Sequence, residues 1–442
     1  MKIYGLQDWQ ILQQIDGLAE VKIFGECEEC ETGISAVSIQ ITEEESGKIL
    51  MPWTQTECNA GKWYMLLDGF KAGIQYRIDI DGIFGCGENQ RRQRLKESVR
   101  HVSVGDIYLI AGQSNAAGWS RGCYDEPLNL NVRELNHFGK WSVAAQPLEG
   151  GGFSPFITFA KILSKKLNYP VGLIPRAIGA SSVTSWTSSG EYIQGIHHEK
   201  IGKIKGVLWY QGCNEALENN TEKYEEYFID FVKSIRRIFQ NQNLPIITFQ
   251  LNRFIADSNP KAHNEGYDKI REIQRNMIDK IKNLYIIPTI DLTLMSDAIH
   301  NSIQSNITIG KRAAELSLDE IYHMQISDKA PNISDAVIIA DNKIKLTFDN
   351  VKEELYAFEV SAENLPIAIY DKCGINRIIK YEISKNIILL TTERNPESLS
   401  MVKAQFGKNP SEIIIDHDTM LPILCFSDVK LSKTTLGKGH TK

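Results

Sequence analysis

The 442-residue chain contains no run of eighteen consecutive apolar residues, so an ordinary membrane-spanning helix is not expected. Cysteine is scarce: eight residues, all but one pair of them far apart, a pattern that suits reduced thiols better than a disulfide framework. Cys27 and Cys30 form a CxxC, but no second pair follows at zinc-binding spacing. There is no excess of positive charge either. Lys and Arg total 49 against 55 Asp and Glu, a net of −6, which offers no broad phosphate-binding surface and argues against nucleic acid or anionic membranes as partners. The first residues show no basic segment leading into an apolar stretch, so no secretory signal is read and a cytoplasmic location is expected. Asn219, Asn306 and Asn332 stand in N-x-[ST] sequons, which carry no meaning without secretion. What remains is ordinary: 42% apolar and 24% charged residues, the composition of a soluble globular protein. At roughly 150 residues per domain the length suggests about three domains.

The texture of the chain divides it accordingly. Residues 1–103 consist of short alternating runs, Ala19–Phe24, Ser35–Ile41, Lys62–Leu67 and Gln75–Ile80, with a short helix allowed near the start. Period-two alternation of this kind predicts half-buried strands and an N-terminal β-sandwich. From residue 104 to 327 continuous apolar runs (Ile107–Ala111, Val171–Ile174, Val207–Tyr210, Ile246–Gln250, Tyr285–Ile287) alternate with helical periodicity over Phe156–Leu167, Glu222–Phe239, Tyr267–Ile281 and Ile307–Tyr322. Strand alternating with helix predicts an α/β domain whose parallel sheet is covered on both faces. Residues 328–435 return to short strands, Ala336–Ile339, Lys343–Phe348, Tyr356–Val360, Ile387–Thr391 and Glu412–Ile415, which predicts a C-terminal β-sandwich before a polar tail.

Ligands of open α/β sheets bind beyond the carboxyl ends of the strands, so those ends are where chemistry is sought. The run Asp106–Ala111 ends in Gly112-Gln113-Ser114-Asn115, placing a serine just past a buried strand. Alone, it reads better as a helix cap than as a nucleophile. Gly206–Tyr210 ends in Gln211-Gly212-Cys213-Asn214-Glu215, where Cys213 has no evident group to activate its thiol. After the last strand comes Asp297-Ala298-Ile299-His300. A carboxylate three residues before a histidine can hold its Nδ1 proton and leave Nε2 free to deprotonate a hydroxyl. His197-His198 has no third metal ligand and reads as exposed surface. Serine after the first strand and Asp-x-x-His after the last put both halves of a serine-hydrolase apparatus at one edge of one sheet.

At that point the sequence resembles a family. Gly112-Gln113-Ser114-Asn115, Trp209-Tyr210-Gln211-Gly212 and Asp297-Ala298-Ile299-His300, in this order, are similar to the SGNH hydrolases, and within them to the sialate O-acetylesterase and carbohydrate acetylesterase branch. Gly179-Ala180-Ser181 with Trp186 resembles that branch's Gly-Gly-Thr…Trp segment, Arg271 with Gln274 its Arg-x-x-Gln helix, and Leu421-Pro422 with Phe426 the end of its β-domain. The resemblance implies a parallel five-stranded flavodoxin-like α/β/α hydrolase domain, flanked here by the two β-sandwiches. It implies Ser114 as nucleophile, His300 as general base, Asp297 as its orienting acid, and the N–H groups of Ser114 and Gly179 as oxyanion donors. Gln211 and Trp186 would lie near the substrate. No cofactor and no metal are implied, and the expected partner is a small acetylated carbohydrate. Ala180 replaces a glycine, Asn301 the proline after the histidine, and Gly310 falls later than the family spacing. Cys213-Asn214-Glu215 stands where the family commonly has Glu-Ser-Asn, so the third oxyanion donor is open between Asn214, whose amide can donate, and Glu215, whose carboxylate cannot. Two rival readings follow from the same residues. One is a carbohydrate-binding protein with weakened catalysis; the other is a lipid or thioester hydrolase on the same fold.

Overall fold

A computed structural model describes residues 2–26, 33–85, 90–94, 98–148, 151–199, 201–256, 259–325, 328–397 and 399–433. Cys27, Cys30 and the polar tail lie outside the described residues. The molecule is a mixed α/β structure with three hydrophobic cores, one in each third of the chain.

The central sheet is built from β1 (Val99–Gly112), β2 (Val132–Leu135), β3 (Trp141–Val143), β4 (Val171–Pro175), β5 (Gly206–Tyr210), β6 (Ile246–Phe249) and β7 (Leu284–Ile287), in the spatial order β3-β2-β4-β1-β5-β6-β7. All neighbours pair in parallel except β3, which runs antiparallel to β2. Sequence periodicity missed β2 and β3, because three- and four-residue edge strands are too short to show a period. β4 and β5 are buried along their whole length, as strands covered on both faces must be. The covering helices pack in two groups, Pro155–Leu167 with Ile303–Glu320, and Glu191–Glu199 and Pro260–Lys280 each against Tyr224–Ile238. Tyr224–Ile238 turns Phe228, Phe231, Val232 and Ile235 inward at the spacing of one helical face. Pro155–Leu167 starts where Ser154 caps the Phe156 N–H, with proline at the first helical position, and stops at Asn168 in the left-handed conformation.

β1 is fourteen residues long and belongs to two sheets. Its first half pairs with Gln75–Phe84 and Ile11–Gln13; its second half lies between β4 and β5. The strand passes through residues 103 and 104 without a break, so the N-terminal sheet and the central sheet share one element. The short helix allowed near the start is instead a turn and the strand Ile11–Gln13. In the C-terminal third a five-stranded and a four-stranded sheet enclose a core that includes Ile344, Leu346, Phe348 and Phe426. The strand expected over residues 356–360 is only Leu355–Tyr356, because Phe358 and Glu359 have φ of 44° and 56°, outside any extended conformation. No helix of the described residues is long and apolar enough to cross a membrane.

Candidate active site

The carboxyl end of β1 is shaped by glycine. Gly112 has φ 119°, and a Cβ there would stand 2.3 Å from the Tyr210 carbonyl oxygen, so only glycine lets β1 and β5 stay in register while the chain turns. Gln113 follows as the cap of the one-turn helix Ser114–Ala117. Its side-chain oxygen accepts from the N–H groups of Gly212 (2.9 Å) and Cys213 (3.0 Å), which ties the β5 loop to the β1 loop. The loop after β4 joins the same point: Ile178 N–H donates to Gly112 O at 2.9 Å and the Ser181 hydroxyl donates to it at 3.2 Å. Three strand ends are thus fastened around Ser114, which is 8% exposed.

The turn carrying Asp297 and His300 is held there by Asn115. The Asn115 amide donates to Ile299 O (3.3 Å) and accepts from Asn301 N–H (3.1 Å), gripping the backbone on either side of His300. A proline at 301 has no N–H to offer, so asparagine at that position supplies one of the two bonds. Asn301 is fully buried; its carbonyl accepts from the Ser120 hydroxyl and its side-chain oxygen from Asn252 at 2.8 Å. Within the turn His300 Nδ1 lies 2.7 Å from Asp297 Oδ2, and Asp297 Oδ1 accepts from the N–H groups of His300 (3.1 Å) and Ile299 (3.3 Å). Partial burial pushes the Asp297 carboxyl up, but these bonds outweigh it and hold it below its ordinary value, so it stays ionised beside the ring.

The structure therefore brings Ser114, Asp297, His300 and the Gly179 loop together. Neither the Ser114 N–H nor the Gly179 N–H is engaged by an acceptor among the described residues. Two alanines in these loops, Ala180 (φ 57°) and Ala298 (φ 73°), sit in the left-handed region that glycine favours. Such backbone strain, of order 1–3 kcal/mol per residue, clusters where a fold over-determines a working loop.

Other expected residues are placed elsewhere. Trp186 is fully buried, with rings of Trp209 and Phe231 against it and its indole N–H on the Ser181 hydroxyl at 3.0 Å; it is core, not a substrate contact. Gln211 is likewise fully buried, its Nε2 donating to Ser181 O and Glu215, which places it in the interior beneath the loops. Glu215 is corrected as an oxyanion group: its Oε1 accepts from the Ser182 hydroxyl (2.9 Å) and Val183 N–H (2.6 Å), and its Oε2 from Gln211 (2.6 Å). This buried carboxylate braces the loop that follows Gly179. Asn214 donates to Glu218 on its own helix at 3.3 Å. Cys213 is buried, and burial, then the Glu215 charge, pushes its thiol up to about 12, which makes it inert as a nucleophile. His197 and His198 are exposed at the end of Glu191–Glu199. Among the described residues the group able to hold a metal is Asp371, Cys373 and Glu397 in the C-terminal third, where Asp371 is already matched by Arg394 at 2.6 and 2.8 Å.

One residue at the site escaped the sequence reading. Trp119 stacks on the His300 ring (centroids 5.7 Å, planes 21° apart), and its indole lies 3.4 Å from where a Gly179 Cβ would be. It is 36% exposed, with the Arg121 guanidinium 5.8 Å from its ring. A tryptophan five residues after the serine was the signal the sequence offered.

Residues 104–319 match the family model described as carbohydrate esterase, sialic acid-specific acetylesterase. A probable carbohydrate esterase from Arabidopsis thaliana is 26% identical over 254 residues, covering 50% of this chain and 91% of that protein. Human sialate O-acetylesterase is 23% identical over 300 residues, or 54% of this chain, which spans only 55% of the human protein. The crystal structure of a carbohydrate acetylesterase from Xanthomonas citri superposes over 96% of this chain and 98% of its own, with a TM-score of 0.70 at 19% identity, a likeness of fold across all three parts.

Proposed function

We propose, from the match of residues 104–319 to the carbohydrate esterase family of the sialic acid-specific acetylesterases, that this carboxylic ester hydrolase removes O-acetyl groups from a carbohydrate through an acetyl-enzyme on Ser114. The observation that carries the reading is the Asp297–His300 pair at 2.7 Å, held by Asn115 beside the serine at the end of β1. His300 Nε2 takes the Ser114 proton as Oγ attacks the acetyl carbonyl. The carbonyl oxygen, turning into an oxyanion, is met by the N–H groups of Ser114 and Gly179. His300 then gives its proton to the departing sugar hydroxyl, and water, deprotonated by the same ring, clears the acetyl group. Asp297 stays ionised throughout, fixing the ring and balancing its transient charge.

The same reading takes β4-β1-β5-β6-β7 as the five strands of a flavodoxin-like SGNH domain at 104–327, with residues 1–103 and 328–435 as β-sandwich domains around it. The position of Glu215 favours one rival. With the carboxylate braced against Ser182 and Val183, and Asn214 turned to Glu218, the oxyanion has two backbone donors and no side-chain donor. Loss of one donor typically costs about 10²–10³ in kcat, which would leave a weakened esterase that binds its sugar better than it turns it over. A panel of O-acetylated sugars, sialates and acetylated plant-wall fragments among them, assayed with the protein and its Ser114→Ala variant, tests the proposal. Acetate release by the protein alone supports it; sugar binding without release would assign the binding role.

A further inference from the structure

The C-terminal β unit reaches the catalytic turn through one loop. After β6 the chain runs Gln250–Ala256, and this loop touches both. On one side Ile255 N–H donates to Ala298 O at 3.1 Å, and Asn252 Nδ2 to Asn301 Oδ1 at 2.8 Å, so the loop grips the turn just before and just after His300. On the other side it is held by Gly407 and Lys408. The Lys408 carbonyl accepts from Phe254 N–H at 2.7 Å, and its ammonium donates to Ala256 O and lies 5.5 Å from the Phe254 ring. Lys408 is 8% exposed, an unusual depth for a lysine. Its neighbour is fixed to the helix Pro260–Lys280: Gly407 N–H donates to Asp268 (2.5 Å), and the buried Arg271 guanidinium donates to Gly407 O (2.6 Å), Leu251 O (2.9 Å) and Asn252 O (2.8 Å).

We propose that Lys408 is a positioning residue for His300, so that the C-terminal β unit completes the catalytic apparatus rather than merely flanking it. Ala298 stands at φ 73°, a conformation that alanine does not hold unaided, and the Ile255 bond to its carbonyl is one of the contacts that keeps it there. The Lys408 ammonium and stem set the position of Phe254–Ala256, and that segment sets the turn. The functional part of this inference rests on the hydrolytic reading of Ser114, Asp297 and His300; the structural part does not.

Lys408→Met keeps the buried stem and removes the charge-assisted bond to Ala256, while Lys408→Arg restores a donor. With rates referred to active sites titrated by a fluorophosphonate, Lys408→Met should lower kcat on an acetyl ester about tenfold, with KM within about twofold, since small misplacements of a base are felt in the chemical step. The arginine variant should regain most of the loss. Proton NMR of the full-length protein reads the turn directly: the low-field resonance of the His300 Nδ1–H beside Asp297 should broaden or vanish in Lys408→Met and return in Lys408→Arg. An unchanged resonance and kcat in Lys408→Met would overturn the proposal. A wild-type protein that shows the resonance but releases no acetate would instead contradict the hydrolytic reading, and the resonance in the variants would still decide the role of Lys408.

Discussion

The two ends of the central sheet each hold a carboxylate, and they use it oppositely. At the amino end Asp106 is fully buried and accepts from Gln13 (2.6 Å), Gln14 (3.1 Å), Tyr169 (2.7 Å) and Tyr322 (2.8 Å). Burial and then the Asp106 charge drive the Tyr108 phenol well above its ordinary value, so that phenol stays neutral, and the cluster works as a bolt between β1, the N-terminal segment and the last helix. At the carboxyl end Asp297 is 41% exposed and spends one oxygen on a histidine that has a serine loop beside it. A carboxylate saturated by fixed donors holds structure; one that accepts from an imidazole beside a hydroxyl orients the ring that can move a proton. Concavity does not tell them apart. A cavity of about 860 Å³ lined by Ile11, Leu18, Ile107, Trp141 and Lys203 lies toward the amino end, away from the serine.

Substitutions should separate the two ends. Ser114→Ala should lower kcat on an acetyl ester at least about 10³-fold with an unchanged melting temperature; retention of a tenth of the activity would remove Ser114 from the mechanism. Asp297→Asn should cost nearly as much, about 10³–10⁴-fold, because the amide no longer orients and balances the ring. At the other end Asp106→Asn should leave kcat per folded molecule alone and lower stability by about 2–3 kcal/mol in a urea titration, as charge-assisted bonds at a buried site are lost. A loss of turnover without a loss of stability there would break the comparison. Trp119→Ala, which strips the stacked ring from His300, should reduce kcat/KM by a smaller amount, about fivefold to tenfold.

Acidity sharpens the same contrast. Because Asp297 is held below its ordinary value, it remains ionised as pH falls until below about pH 4, so above that the carboxylate adds no proton to the acid limb of kcat/KM, which should have the slope of one proton. A two-proton limb between neutrality and about pH 4 would show that the carboxylate titrates with the ring and that the pairing is wrong.

How much of this was legible in the sequence depends on distance along the chain. Asp297 and His300 are three residues apart, and Ser114 ends a buried strand, so local spacing sufficed for both. The Asn115 bond to Ile299 spans 184 residues, and the contact of Lys408 with Ala256 spans 152; no periodicity reports such pairs. Trp186 and Gln211 were misplaced for a different reason. A motif gives the neighbourhood of a strand end but not which side of the loop a side chain takes, and both turn inward, one to Trp209 and Phe231, the other to Glu215. The Cys213-Asn214-Glu215 block shows the same limit: residue chemistry ruled out Glu215 as a donor, but only packing revealed that its carboxylate holds Ser182 and Val183.

The central claim is that Ser114 is the group that becomes acylated. Treatment of the full-length protein with a fluorophosphonate ester, followed by peptide mass spectrometry, addresses it directly, since such esters react with a serine only where a base and an oxyanion site activate it. One adduct on the peptide carrying Ser114, abolished in Ser114→Ala and reduced in Asp297→Asn, is the expected result. Acetyl-ester turnover that continues with Ser114 unlabelled, or with the adduct on another residue, would contradict the account.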